Sequence, residues 1–374
     1  MTTSIKNEEA IDLSVLSPES QNAGDFFRDL VSEVLPELLS HVEGQSNQDK
    51  AHRVKFALQM ISKAYRCKLG DTDPWSRSEW DDSANRCAYV FLYYMQHCHM
   101  MYMALQPLLQ PSLSGIIQRW RQMNHLRVCC IGGGPAPELV GLMKFFIDTN
   151  LIPIAMLKCS ILDAFPSWKA AWKEIHNKLP EPFPVEYFRC DLVRDSTIDS
   201  FVLDAIRKAE ILTLVKSFSA VFAFMRDDPE KSVLFQAILR ELKPGAVVIY
   251  IDNEKNKETW GCFSKYAKNA GLDMLYEWHG NPALPTGEDS VIIQNYSTAL
   301  ELRPMKSCAV SVVLLRKTRP TLSLLETTEI NGPAVAHYPG KSRHWYLDAN
   351  SPCRPFEAHK MGKLQVEWPH HKAN

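Results

Sequence analysis

Residues 127–142 read Arg-Val-Cys-Cys-Ile-Gly-Gly-Gly-Pro-Ala-Pro-Glu-Leu-Val-Gly-Leu. A short apolar run, Val128 to Ile131, empties into three consecutive glycines, and an almost wholly apolar segment from Leu139 to Ile147 follows at once. Glycine serves where a chain turns sharply and lets a ligand approach bare backbone. A helix starting just behind it leaves unpaired N–H groups aimed at that ligand. The stretch predicts a β–loop–α unit that binds a nucleotide or nucleoside.

Downstream of this unit the pattern alternates. Strands are predicted at 127–131, 154–162, 185–190, 211–216 and 246–251, with helices at 137–147, 167–178, 196–208 and 229–242. Such alternation gives a parallel sheet with helices on both faces. Leu242-Lys243-Pro244-Gly245 is a helix stop before the fifth strand. Ser290 to Tyr296 and Ala309 to Arg316 both read as strands, separated by about a dozen residues, too few for a helical crossover. They are expected to pair antiparallel, which departs from the dinucleotide-binding pattern.

Upstream, four segments are expected: a disordered N-terminus over 1–22, a helical cap region over 23–122, the sheet domain over 123–318 and a C-terminal extension over 319–374. Phe26 to Val42 and Val54 to Tyr65 carry apolar residues at helical spacing. A loop over Asp71 to Asp82 leads into a long helix from Ser83 to Leu109, broken by Pro111 and followed by a short helix from Leu113 to Trp120. Within it, Ala88 to Leu105 nearly reaches membrane-spanning length but contains Gln96, His97, His99 and four tyrosines, so it reads as a buried helix. No membrane association is expected.

The formal charge is −1, with 42 Lys+Arg against 43 Asp+Glu, which argues against a strongly basic, phosphate-tracking surface. Ten cysteines are scattered, mostly in apolar runs and without a C-x-x-C pair. That favours reduced, buried thiols, a cytoplasmic or nuclear compartment, and no structural metal site. The polar N-terminus lacks the order of a signal peptide.

The glycine loop identifies the ligand more closely. A dinucleotide fingerprint wants Gly-x-Gly-x-x-Gly, but Pro137 stands where its last glycine belongs. Proline suits the first turn of a helix and removes a donor that would cradle a pyrophosphate. Read as Gly-x-Gly-x-Gly, the positions are Gly132, Gly134 and Ala136, with Gly133 between the first two. This resembles motif I of the class I S-adenosylmethionine (SAM) dependent methyltransferases over roughly residues 127–317. The resemblance implies a seven-stranded, mostly parallel Rossmann-like sheet with a C-terminal antiparallel hairpin, SAM as cofactor, and methyl transfer as the activity. Two departures stand out: Cys130 where motif I commonly has an acidic residue, and Ala136 for the third glycine.

The resemblance also implies roles. Gly132, Gly133 and Gly134 would hold the methionine end of the cofactor. Glu138 would sit beside its ammonium, or merely complement the helix dipole. Asp163, in Ile161-Leu162-Asp163-Ala164-Phe165, would accept the ribose hydroxyls, or be a solvated turn residue. Cys190-Asp191-Leu192 would contact the adenine, or Asp191 would cap a helix near Ser196. Ala164, Phe165 and Trp168 would flank the base, although Trp168 and Trp172, at i and i+4, equally suit a helix core. Val215-Lys216-Ser217-Phe218-Ser219 would border the reacting methyl group through Ser217 and Phe218, and Asp252-Asn253 would line the same rim or simply form a turn. The segment lacks the Asn/Asp-Pro-Pro-Tyr/Phe signature of exocyclic-amine methylation.

On the acceptor side, Tyr89, Tyr93 and His97 share one helix face, and Tyr93, Tyr94 and His97 are the catalytic candidates. Their polar tips suit a pocket wall, though core packing with satisfied hydroxyls is the more common outcome. No metal is expected; His97 and His99, at i and i+2, diverge on a helix. The acceptor itself, small molecule, RNA or protein, and the oligomeric state are left open. Three alternatives differ in class. Gly-Gly-Gly-Pro-Ala-Pro is similar to a loop of nicotianamine synthases, which implies aminocarboxypropyl transfer from SAM. The loop with its Glu and the Tyr-rich helix resemble fungal ribosomal-RNA uridine methyltransferases, which implies an RNA acceptor. Cys130 and Ala136 in motif I leave room for a catalytically inactive, methyltransferase-like scaffold.

Overall fold

A computed structural model of the chain describes residues 18–66, 80–225, 232–253, 257–285, 290–301 and 303–318. Among them, seven strands form one sheet: β1 (Leu126–Ile131), β2 (Leu157–Asp163), β3 (Val185–Arg189), β4 (Ile211–Val215), β5 (Val247–Asn253), β6 (Leu272–Gly280) and β7 (Val310–Lys317). Their order is β3-β2-β1-β4-β5-β7-β6. The first five are parallel, and β7 runs antiparallel between β5 and β6. The order reverses at β1 and β4, so a crevice opens beyond their carboxyl ends, where ligands of open α/β sheets bind.

Alternation along the strands builds two cores. Ile211, Val215, Val247, Ile249 and Ile251 face one side, and Leu212, Leu214, Val248 and Tyr250 the other. Burial on both faces explains why these strands read as continuous apolar runs.

The second side is covered by α8 (Ser200–Lys208), α9 (Phe218–Met225), α10 (Ser232–Glu241) and α11 (Lys257–Asn269). The first side is covered by α6 (Pro137–Thr149), α7 (Trp168–His176) and the upstream helices α1 (Pro18–Ser40), α2 (Asn47–Arg66), α3 (Ser83–Tyr89), α4 (Met95–Leu105) and α5 (Ser114–Arg121). Every residue of α4 is buried, and none of the described helices is long and apolar enough to cross a membrane. A five-residue π turn, Val90–Tyr94, joins α3 to α4. Helix α4 lies so close to α6 that a Cβ at Gly141 would stand 2.3 Å from the Cys98 carbonyl oxygen.

Several expectations need correction. Ser290 to Tyr296 is not a strand but the start of helix α12 (Val291–Leu300), capped by the Ser290 hydroxyl accepting the Ile293 N–H at 3.3 Å. Its buried residues Ile293, Tyr296 and Leu300 follow helical spacing. The antiparallel partner of β7 is β6, a sheet-edge strand whose half-exposed pattern and bulge between Met274 and Tyr276 blur the alternation. Residues 154–156 form a 3-10 turn rather than strand. Helix α8 starts at Ser200, capped by Asp199, rather than at 196. Helix α1 begins at Pro18, so 18–22 is ordered, contrary to the expected disorder. Residues 1–17, most of the Asp71 to Asp82 loop and the extension from 319 onward lie outside the described residues. The eight described cysteines are free thiols, five of them buried.

Candidate functional site

The bend after β1 is built on left-handed backbone. Gly132 has φ +63° and Gly134 φ +48°. A Cβ at Gly132 would stand 2.7 Å from the Ser217 Cβ, so only glycine lets the ends of β1 and β4 approach this closely. Ala136 carries the third positive φ, 64°, immediately before α6. The loop is pinned from below and behind. Gly132 N–H donates to the Leu162 carbonyl at 2.7 Å, and the Tyr187 hydroxyl donates to the Gly134 carbonyl at 3.1 Å.

Asp163 ends β2 and points at this bend. Its Oδ2 accepts the Gly134 N–H and its Oδ1 the Phe165 N–H, both at 2.9 Å. Burial lifts its carboxyl to about 6, against the pull of those two N–H groups, with Asp191 adding to the rise. Asp191 follows β3; its Oδ1 accepts the Val193 and Arg194 N–H groups at 3.1 Å. It therefore caps the turn over 191–195 rather than α8, while Oδ2 stands 3.9 Å from the Arg194 guanidinium.

A cleft opens over these strand ends, lined by Gly132, Gly134, Asp163, Ala164, Phe165, Trp168, Cys190, Asp191, Leu192 and Ser217. Ten of the thirteen residues proposed for the cofactor thus surround one space. Ser217 is only 8 % exposed, and among the described residues its hydroxyl has no hydrogen-bond partner. A buried hydroxyl without a partner is costly.

Three cofactor candidates do not line the cleft. Gly133 faces inward, its Cβ position 3.0 Å from Cys130 Cβ and from Glu138 Oε1. Glu138 is 2 % exposed beneath the bend, its Oε1 3.5 Å from the Thr213 hydroxyl. Burial pushes its carboxyl up to about 8, so it is neutral at pH 7. Phe218 turns into the second core, against Phe235 at 4.7 Å and Phe263 at 5.3 Å between ring centroids. Trp168 and Trp172 part company: Trp168 faces the cleft, while Trp172 packs on His176 and Phe183.

On the acceptor side, the tyrosine–histidine face holds together. The Tyr89 hydroxyl lies 3.3 Å from His97 Nδ1, and the Tyr93 ring stacks on His97 at 5.8 Å. Of this face only Tyr89 lines the cleft, edge-on to Trp80 and Trp168. Tyr94, on the π turn, is buried with Cys98, Glu138 and Tyr187 around it and is not brought to the cleft. Asp252 is fully buried and caps α9 through the Ser219 N–H at 2.7 Å, whereas Asn253 accepts a hydrogen bond from the Lys216 ammonium.

Several cleft residues were given no role by sequence reasoning, three of them notable. Trp80 stands 4.7 Å from the Trp168 ring, Phe224 lies on α9, and Lys216 follows β4. Lys216 lies inside the segment over 215–219 already singled out, without a role of its own; Trp80 offered no periodic signal.

No family model matches the chain, and no curated protein sequence does either. Several solved structures are similar. A putative class I SAM-dependent methyltransferase from Listeria monocytogenes shares 8% identity, covers 84% of this chain and 91% of its own, and has a TM-score of 0.38. A putative RNA methyltransferase from Pyrococcus horikoshii shares 11% over 56% of this chain and 82% of its own, with a TM-score of 0.34. Precorrin-6y C5,15-methyltransferase from Geobacter metallireducens shares 14% over 57% and 91%, with a TM-score of 0.31. Likenesses this distant carry no information about substrate. The strand order, with β7 antiparallel between β5 and β6, gives this chain the Rossmann-like fold of the class I SAM-dependent methyltransferases.

Proposed function

We propose that this chain binds SAM in the cleft and transfers its methyl group to an acceptor. The observation that carries the reading is the union of bare backbone and carboxylate at one place, Gly134 N–H donating to Asp163 Oδ2 on the cleft wall. A nucleoside cofactor fits the donor set. The bend admits no side chain at Gly132, and Asp163, Asp191 and Ser217 all line the cleft. Asp163 would hold the ribose and Asp191 the adenine amine, with Phe165, Trp168 and Leu192 as apolar walls. Gly132, Gly134 and Ser217 would hold the remaining arm.

When bound, SAM supplies an electrophilic methyl carbon on a sulfonium. The chain's own contribution is to hold the acceptor close and in line with that carbon and to exclude water. Glu138, neutral and beneath the loop, would act by supporting Gly133 and the start of α6.

Equilibrium binding of SAM to the wild type and to Asp163→Ala tests the reading. Loss of affinity in the variant supports the ribose role, and equal affinity removes it. Analysis of products separates the transferred group: S-adenosylhomocysteine follows methyl transfer, and methylthioadenosine follows aminocarboxypropyl transfer.

A further inference from the structure

Lys216 lines the cleft at the carboxyl end of β4. Its Nζ donates to Asn253 Oδ1 at 2.7 Å and to Cys308 Sγ at 3.2 Å, an amide and a thiol. Among the described residues it forms no ion pair. The backbone holds it in place at a cost, because its φ of +56° lies in the left-handed region that side chains avoid. Its N–H donates to the Ile251 carbonyl at 2.7 Å, tying the bend to β5.

The two groups hydrogen-bonded to the Lys216 side chain are neutral, and the carboxylates that line the cleft, Asp163 and Asp191, stand at the end of β2 and just beyond β3. Ser217, the next residue, also lines the cleft. His97, from α4, is buried, and burial together with the Lys216 charge pushes its imidazole down to about 3, so it is neutral and a poor base. The Asp252 carboxylate already accepts the N–H groups of Ser219 and Asn253. The cleft walls include the rings of Tyr89, Trp80 and Trp168, which pack on one another. A cationic amine would be repelled here, and a neutral amine would gain nothing from the ammonium.

We infer that the acceptor is a planar acid, an O–H or N–H group methylated as its anion, with Lys216 as the cation that holds that anion. The inference rests on the methyl-transfer reading above. In the transfer the acceptor gives up one proton to solvent and forms one bond to the methyl carbon. The carbon–sulfur bond breaks, and its electron pair stays on sulfur. No strong base is required of the chain, because the ammonium lowers the energy of the anion instead.

The test uses two probes of nearly equal shape, 4-nitrophenol and 4-nitroaniline, titrated at mildly alkaline pH into the full-length protein loaded with S-adenosylhomocysteine. The wild type is expected to bind the phenolate at least about tenfold more tightly than the aniline. The absorption band of the bound phenolate should also appear at lower pH than in free solution. Lys216→Gly, which suits the left-handed backbone, should cancel both effects, and Lys216→Arg should keep them. S-adenosylhomocysteine binding serves as the folding control for each variant. Absence of preference in the wild type, including failure of either probe to bind, or a preference that survives Lys216→Gly, overturns the inference while leaving the cofactor reading intact. Failure of S-adenosylhomocysteine to bind the wild type overturns the cofactor reading, and the acceptor inference falls with it.

Discussion

Asp163 and Gly134 are joined by a 2.9 Å hydrogen bond from the glycine N–H to the carboxylate Oδ2, so the end of β2 and the bend after β1 move as one piece. The other oxygen takes the Phe165 N–H. Asp163→Ala leaves two N–H groups without their acceptor, each a loss of roughly 1–3 kcal/mol where burial excludes water. The variant is expected to melt at lower temperature and to bind SAM at least about tenfold more weakly. A ribose-holding carboxylate must also be ionised. Since the Asp163 carboxyl sits at about 6, wild-type SAM affinity should fall as the pH drops through that value. Asp163→Asn should flatten this dependence. Calorimetric titration between mildly acidic and neutral pH measures it, and an unchanged slope in the variant would assign the effect elsewhere.

Gly141 lies at the crossing of α4 and α6. Alanine in an exposed helix interior is worth about 1 kcal/mol over glycine. Here its Cβ would stand 2.3 Å from the Cys98 carbonyl and 2.9 Å from Met101 Cβ, neither of which can yield without moving a helix. Overpacking costs about 1–3 kcal/mol. Gly141→Ala is therefore expected to lower the melting temperature despite the better helix former, and to weaken SAM binding by shifting the start of α6. A rise in melting temperature would contradict the packing of these two helices.

The parts of this fold that the sequence revealed share one property: strong, regular burial. β1, β2, β4 and β5 are buried almost throughout, and their apolar runs stand out. β6 is a half-exposed edge strand, Leu-Asp-Met-Leu-Tyr-Glu-Trp-His-Gly, whose bulge breaks its alternation. Ser290 to Tyr296 reads as a strand because β-branched and aromatic residues cluster there. The Ser290 cap and the spacing of Ile293, Tyr296 and Leu300 outweigh that preference. At the site, residues tied to strand ends were legible, since a strand end fixes position. Side-chain direction was not: Phe218 and Ser217 are neighbours, yet one enters the core and the other faces the cleft. Trp80 reaches the cleft through tertiary contact with Trp168, which no local spacing announces.

Glu138 makes the stability of the ligand-free protein depend on pH. Folded, its carboxyl keeps its proton to about 8; its ordinary value is 4.5. Between these values the folded state holds more protons than the unfolded state, so stability falls as the pH rises through this window. At about 1.4 kcal/mol per unit the loss is several kcal/mol, the largest of any carboxyl around the bend. Glu138→Gln, neutral throughout, should remove most of the slope in denaturant titrations at pH 5 and pH 8. Parallel slopes for the two proteins would mean that the carboxyl is not held neutral.

Ala136 occupies the position where glycine would be expected, with φ 64° and no exposed surface. Left-handed backbone costs an alanine about 1–2 kcal/mol, and glycine removes that strain. Against this, Ala136→Gly loses one buried methyl, about 0.8 kcal/mol, and adds about 0.5–1 kcal/mol of unfolded-state entropy. The contributions nearly cancel, so the glycine variant is expected within about 1 kcal/mol of the wild type, with SAM binding retained. Ala136→Val should behave differently. A β-branched residue cannot relax at this φ, and its added bulk meets a full core, which together should destabilise by more than about 2 kcal/mol. Denaturant midpoints for the two variants decide the matter: equal losses would show that bulk and backbone strain are not what distinguishes this position.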